Sequence, residues 1–466
     1  MALGIASTIL IFILLSLLLT GEVECFTPLI TARTKIRNKV EVFSSITNDP
    51  VSPPKEEKLS KEATELLHVL EHRKEGYDIF IAQTAPSVRV CFSEEFGYAP
   101  GAFPPGLLVG ALKKLGFDMV LDMNTSADMT ICEEATELLH RIQTRLNEND
   151  SDNNDDEQHR MPLFSSCCPG WLNFVEKFEP ELAKDISTCK SPQQMYGSVI
   201  KEYSQELLQH PADKVYVCGI MPCVLKKGEA DRPVFVRQED DIKEIDNVIT
   251  TRDLGVLLRR QGIYNPQVEL KEANFDSPFA HIDQGAGTGA GQIFGATGGV
   301  TEAAVRTIYE WVTGEPLPGI EFHAVRGLEG IKEATVPLYS KNTKKGLQFD
   351  LKVVVANGLK EAKTLVQKIK NGEVQYDFVE VMSCPGGCIG GGGQPRGIQK
   401  DVIPQRLDVI YQLDRSLPRR RSHENPTLQA LYDQYLGEYG SDKAHKILHV
   451  EPVYGEIHAE KYKNKK

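Results

Sequence analysis

Apolar positions along the chain fall into two kinds of run. DIFIAQ (78–83), VRVCF (88–92), FDMVLDM (117–123), VYVCGIM (215–221), NVITT (247–251), LKVVVANG (351–358) and YDFVEVM (376–382) are short and rich in β-branched and aromatic residues. Runs of that length and make-up predict buried strands. Between them, 106–115 and 133–146 carry apolar residues at helical spacing. Segment 59–75 does the same through Ala63, Leu66, Leu67 and Leu70, and Gly76 follows it as a stop signal. It predicts a surface helix. Strand and helix in alternation predict βαβ units and an α/β fold. The expected catalytic domain spans 58–400 in two lobes, about 77–214 and 215–400, each a mixed or parallel sheet flanked by helices. A helical segment, 401–466, is expected to wrap it.

The first fifty-seven residues follow neither pattern. Residues 5–19 are almost wholly apolar, and 20–25 are short and more polar. That is the length of a signal-peptide core and too short for a membrane span, although the positively charged start is missing. Residues 26–57 read as a transit peptide with a Pro-rich linker. They carry Arg33, Lys35, Arg37 and Lys39 among many Ser and Thr, and the linker DPVSPPKEEK closes them. A signal-like segment followed by a transit peptide starting at Phe26 resembles the two-part presequence of complex plastids. The expected address is the plastid stroma. A hydrogenosome or mitochondrion, or the secretory pathway, is the alternative.

Composition changes this picture in two ways. A net charge of −12 argues against nucleic acid as a general partner. Ten cysteines, clustered by motif, read as metal ligands in a reducing compartment and not as a disulfide scaffold. The clusters sit at the ends of apolar runs. MPLFSSCCPGW (161–171) offers adjacent Cys167 and Cys168, VYVCGIMPC offers Cys223, and EVMSCPGGCIGGGGQP (380–395) offers Cys384 and Cys388. In open α/β sheets, ligands bind outside the carboxyl ends of strands, so three such ends can converge on one site. Soft thiolates backed by side-chain-free glycine suit an iron–sulfur cluster. Cys91, Cys132, Cys189 and Cys218 lack such surroundings and read as buried cysteines packed like small hydrophobes. Two other segments carry little. QGAGTGAGQIFGATGGV (284–300) has no clear strand before it and makes a poor dinucleotide loop. NENDSDNNDDE (147–157) lacks the spacing of a calcium loop and reads as solvated surface.

SSCCPGW, MPCxxKxxE (221–229) and ExMxCxxGCxxGGGQP resemble, in order, the three signature segments of [FeFe]-hydrogenases. The flanking text TAPSVRV, ADMTICEEATELLHR, IFGATGGV and RRSHENP extends the likeness from about 78 to 450. Ser165 departs from the family's usual Thr, a mild change. No CxxCxxC run precedes residue 160, so the resemblance is to the algal type with a single catalytic domain. It implies reversible reduction of protons to H2 at an H-cluster in the cleft between the lobes. A [4Fe-4S] cubane would be held by Cys168, Cys223, Cys384 and Cys388. Cys388 would also bridge to a diiron subsite bearing CO, CN⁻ and a dithiolate.

The same resemblance assigns the remaining site residues. Lys226 would contact one cyanide, and Ala85, Pro86 and Ser87 the other with a nearby carbonyl. Met221, Met382, Gln193 and Phe294 would line the subsite. Cys167 would deliver the last proton, supplied through Glu134, Ser187, Glu137 and Arg141. Glu134, Glu137 and Arg141 fall at i, i+3 and i+7, on one helical face, where a surface salt-bridge stripe is the plainer reading. Ferredoxin is the implied electron partner, docking at Lys341, Lys344 and Lys345 or at Arg419 to Arg421. Dedicated maturases would build the subsite in a monomer that is free of the membrane when mature. The rival readings are the hydrogenase-like iron–sulfur assembly factors, which are not enzymes, and hydrogen-sensing relatives.

Overall fold

Eight strands form two four-stranded sheets in the computed structural model, which describes residues 57–73, 76–148, 161–237, 239–278, 287–339, 348–396 and 401–450. The expected targeting segments, most of the acidic loop, and Lys341, Lys344 and Lys345 lie outside the described residues. The first sheet has the order β2 (Met119–Asp122), β1 (Ile79–Thr84), β4 (Val215–Met221), β5 (Asn247–Thr250). Every pairing in it is parallel, with Ala82 opposite Cys218. A parallel sheet is covered on both faces, which requires strands without a polar side. β4 meets that demand with all seven residues buried.

The second sheet has the order β3 (Leu163–Phe164), β8 (Phe378–Met382), β7 (Gln348–Asn357), β6 (Ile331–Tyr339). Here β6 runs antiparallel to β7 while the other pairs are parallel. The edge strand β6 alternates exposed Glu333, Thr335-flanking and core positions in the way a half-solvated strand does, with Val336 and Leu338 inward and Tyr339 outward.

Two expectations fail here. The lobe boundary at 214/215 does not separate the sheets, because β4 and β5 complete the sheet begun by β1 and β2, and β3 joins β8. Pairing across such separations leaves no local trace in the sequence. VRVCF is not a strand: Pro86–Cys91 is a helix, with Ala85 extended before it and Pro86 at its first turn. All six of its residues are buried, so strand and helix periods are equally satisfied. The predicted first helix is shorter, Lys61–Glu71, capped by Ser60 and anchored through fully buried Ala63 and Leu66.

Helices hold the cysteine loops in place. Helix Gly299–Thr313 is tied to β8 by Glu380, whose carboxylate accepts from the backbone N–H groups of Gly298 (2.6 Å) and Thr301 (2.8 Å). A carboxylate at a helix N-terminus satisfies orphan donors and complements the dipole. Further along, fully buried Arg306 donates to both oxygens of Asp414 (3.0 and 2.9 Å) and to Glu302 (2.6 Å). Asp414 belongs to helix Val402–Ser416, so this cluster fastens the C-terminal segment to the core. Beyond it, helices Pro426–Leu431 and Asp442–Leu448 pack on the helices Met123–Glu148 and Pro192–Glu202. Among the described residues no helix is long and apolar enough to cross a membrane.

Candidate metal centre

The carboxyl ends of β3, β4 and β8 lead directly into the three cysteine segments. Because β3 and β8 are parallel neighbours, their exits lie side by side. Cys168 Sγ stands 3.2 Å from Ser383 Oγ and accepts from Ser383 N–H at 3.4 Å. Cys223 arrives from β4 in the other sheet, so the cysteine set draws on both sheets. Gly393 N–H donates to Pro222 O (2.7 Å), pulling the glycine run onto the Cys223 loop. A side chain on Gly391 would strike that same carbonyl at 2.3 Å. Gly387, at φ +87° and ψ −152°, turns the chain into Cys388 in a conformation open to glycine.

The sulfur of Cys168 lies near enough to Cys223, Cys384 and Cys388 to act on each of those three thiols, and they act on one another. Burial and then the neighbouring sulfurs push Cys223 up, Cys384 to about 11, and Cys388 well above the ordinary thiol range. Thiols held up in this way become thiolates readily only when a cation is supplied. Among the described residues no three of them come within 4.8 Å of one another, the closeness that one ion would need. The donor set therefore fits a soft, multi-atom metal group better than a single ion.

The buried surroundings of these sulfurs combine apolar side chains with unsatisfied polar atoms. Cys167, Phe294 and Met382 share one buried cluster, with Cys168 packed against it. A methyl on Gly219 would meet Gln193 Oε1 at 2.9 Å and Met221 Cε at 3.2 Å. Ser87 follows the extended Ala85 and helix-starting Pro86, and lies close against Gly295, next to Phe294. Among the described residues, buried Ser87 Oγ, Gln193 Oε1 and Glu134 Oε1 have no hydrogen-bond partner. A buried polar atom left unpaired is costly and points to a missing polar partner. Lys226 is buried, donates to Cys167 O (3.1 Å) and pairs with Glu229 (2.7 Å). Burial would lower its pKa, but Glu229 outweighs that, so the ammonium stays charged. Its neighbour Lys227 pairs instead with Glu62 and Asp253.

The acid chain is brought together as well. Helix Met123–Glu148 places Glu134 and Glu137 toward Ser187, whose hydroxyl donates to Glu137 Oε2 at 2.7 Å. Arg141 binds Glu137 Oε1 at 2.6 Å. This face is largely buried, which the surface-stripe reading did not anticipate. Burial, with Glu137's charge adding to it, pushes Glu134 up to about 8. Burial and then Glu134 hold the Cys167 thiol well above its ordinary range.

Glu134→Gln should therefore change the pH dependence of stability. The folded-state value lies above the unfolded one of about 4.3, so protonation of Glu134 stabilises the fold below that pH. The benefit is lost as pH rises through about 8. Thermal unfolding should show the glutamine variant gaining on the wild type by several degrees between pH 5 and pH 9. A constant difference across that range would refute the shift.

Two contributors escape motif reading. Gln394 donates to Ser87 O (3.2 Å) and Cys388 O (3.4 Å) and accepts from Thr251 Oγ1 (2.7 Å), joining three segments. Ser383 buttresses Cys168, as described above. The only sequence signal for either is adjacency to the cysteine–glycine run.

The fold and this site define a protein whose cysteines, drawn from the strand ends of two sheets, are gathered to suit a thiolate-bound metal cluster. Residues 78–392 match the family "Iron only hydrogenase large subunit, C-terminal domain", and 400–451 match "Iron hydrogenase small subunit". The chain belongs to the iron-only hydrogenase family. It is 42% identical over 372 residues to the NADP-reducing hydrogenase subunit HndD of Solidesulfovibrio fructosivorans, covering 80% of this chain and 59% of that protein. It is 41% identical over 377 residues to iron hydrogenase 1 of Clostridium pasteurianum, covering 79% and 60%. The chain thus spans less than two thirds of those two relatives. Solved structures of [FeFe]-hydrogenase HydA1 from Chlamydomonas reinhardtii match with a TM-score of 0.74 at 40% identity, over 85% of this chain and 100% of theirs. Cytosolic iron-sulfur assembly component 3 of Bos taurus is 31% identical over 361 residues, covering 73% of this chain and 67% of that protein.

Proposed function

We propose that this chain is a [FeFe]-hydrogenase of the algal single-domain kind, catalysing 2H⁺ + 2e⁻ ⇌ H2 with ferredoxin as electron partner. The observation that carries the reading is the gathering of four coupled cysteines beside a fifth, Cys167, that adjoins a buried acid chain and a buried lysine. When bound, the H-cluster would supply stored electrons and an iron open to hydrogen. Cys168, Cys223, Cys384 and Cys388 would hold its cubane, and Cys388 would bridge to the diiron subsite. Lys226 offers a charged donor to a cyanide, and charge-assisted bonds of this kind position a ligand firmly. Ser87 and Gln193, unpaired as they stand, would orient the other polar ligands, while Met221, Met382 and Phe294 exclude water. Protons would pass from Arg141 and Glu137 through Ser187 to Glu134, and then to the Cys167 thiol.

The electron route would enter where the cysteines approach the surface. Val224 (45% exposed) and Leu225 (42% exposed) flank Cys223, and Gly392 and Arg396 are exposed nearby in sequence to Cys388. Arg420 and Arg421, earlier candidates for docking, are engaged with Asp414, Glu310 and Glu424. Maturases would insert the subsite, and a plastid stroma would supply ferredoxin and a reducing milieu.

Infrared spectra of the protein matured with its assembly enzymes, together with H2 evolution from reduced ferredoxin, test the whole reading. Sharp CO and CN⁻ bands and gas evolution are expected. An assembly factor would show iron–sulfur absorption with neither, and that outcome would replace this proposal.

A further inference from the structure

Cys189 was expected only to fill space, yet the structure surrounds it with metal-binding groups. Its thiol lies 4.0 Å from Glu137 Oε2, and 3.9 and 4.0 Å from Nδ1 and Nε2 of His449. One ligand atom from each of the three side chains falls within 4.8 Å of the other two. In a tetrahedral zinc site with bonds of about 2.0–2.3 Å, ligand atoms lie roughly 3.3–3.8 Å apart. A contraction of about half an ångström would bring the thiol to that range of its neighbours.

The imidazole is already oriented for such a role. His449 Nε2 lies 3.0 Å from Glu133 Oε2, and Glu133 also accepts from Gly440 N–H and the Tyr432 hydroxyl. A carboxylate that collects donors fixes the proton on Nε2 and leaves the Nδ1 lone pair available. Nδ1 now faces the Thr188 hydroxyl at 2.7 Å, a neutral group that can rotate away. A carboxylate behind a histidine in this way sets the orientation of its ring, as in carboxylate–histidine–zinc triads.

One of the three ligands also borders open space. A cavity of about 380 Å³ is lined by Lys190, Val234, Asp442, His445, Lys446 and His449. The Lys190 ammonium inside it is neutralised by Glu244 at 2.5 Å, and the His445 ring stacks on His449 at 4.3 Å. Asp442 and His445 add polar groups to its wall.

We propose that Cys189, His449 and Glu137 form a binding site for a soft divalent cation of the zinc class, and that filling it closes the proton route at Glu137. Binding replaces the thiol proton with the metal and releases one H⁺ to solvent. The cation takes the Glu137 oxygen that Ser187 and the Thr188 N–H now address. The carboxylate is then no longer available to relay a proton. The closing effect rests on the relay proposed above, whereas the binding does not.

The test adds one equivalent of Zn²⁺ to the matured enzyme and follows zinc-edge X-ray absorption, the CO and CN⁻ bands, and H2 evolution from a small dye donor. A first shell with one sulfur plus nitrogen and oxygen is expected, with unchanged infrared bands and at least a tenfold drop in turnover that a chelator reverses. Cys189→Ala should keep the basal rate, lose the sulfur neighbour and need at least tenfold more zinc for inhibition. Cys189→Ser, closer in volume, should lose the sulfur in the same way and guards against a folding defect in the first variant. A wild-type zinc shell without sulfur, or a sulfur retained in both variants, would overturn the site. Equal inhibition of wild type and variants, or bleached CO bands, would place the zinc effect elsewhere and also overturn it. Zinc held through Cys189 with turnover unaffected would keep the site and remove the relay through Glu137.

Discussion

Cys167→Ser should assemble a complete cofactor and yet lose roughly 10²- to 10⁴-fold in H2 turnover, the range that a positioned proton carrier contributes. Its neighbour Cys168 should behave in the opposite way. Cys168 is held by Ser383 within the set of four coupled sulfurs, so Cys168→Ser should fail at iron incorporation itself. Cys384→Ser and Cys388→Ser should share that failure. Cys167 has Glu134 beside it as well as the sulfurs of Cys168 and Cys388, and burial holds it a neutral thiol. A hydroxyl in its place ionises far less easily, so a serine cannot pass the proton on. Cys167→Asp should recover part of the rate, because a carboxyl group can donate and be refilled. Iron analysis, infrared bands and a dye-driven assay separate the two residues. A Cys167→Ser enzyme at wild-type rate, or one empty of iron, would refute the division of labour.

The second large effect concerns stability. Arg306→Met should lower the unfolding free energy by about 3–5 kcal/mol, the cost of leaving buried charges unpaired. Glu302 and Asp414 are both fully buried and both depend on that guanidinium. Arg326 and Arg420 still reach them from one side, which places the expected loss toward the lower end. Because Asp414 belongs to helix Val402–Ser416, limited proteolysis should release the segment after residue 400 before the remainder unfolds. A urea midpoint unchanged from the wild type would show that the two flanking arginines suffice alone.

The site was far more legible in the sequence than the frame that carries it. Thiols have few roles in a reducing compartment, so CCPGW, MPC and CxxxC at the ends of apolar runs pointed to a cluster before any geometry was known. Parallel strand exits then had to bring them together, and β3, β4 and β8 do. The lobe boundary failed for the opposite reason. That β4 pairs with β1 depends on packing between residues more than a hundred positions apart, Ile79 with Val215, and no local period records it. VRVCF failed because total burial erases the difference between a period of two and one of 3.6. Gln394 and Ser383 were missed since a lone amide or hydroxyl carries no spacing signal. Cys189 was read as inert because its partners, Glu137 and His449, approach from positions 52 and 260 residues away.

The pairing of β3 with β8 also sets a schedule. Cys168 leaves the ribosome long before its partner Ser383, 215 residues later, exists to receive it. At about 5–20 residues per second, that interval is roughly 10–40 s. Throughout it Cys167 and Cys168, joined later by Cys223, are nascent thiols without their partner segment. Translation itself thus keeps the cysteine cage open until nearly the whole catalytic domain has been made. Iron delivered before that point would meet at most two of the four sulfurs, Cys168 and Cys223, so loading belongs to the completed chain.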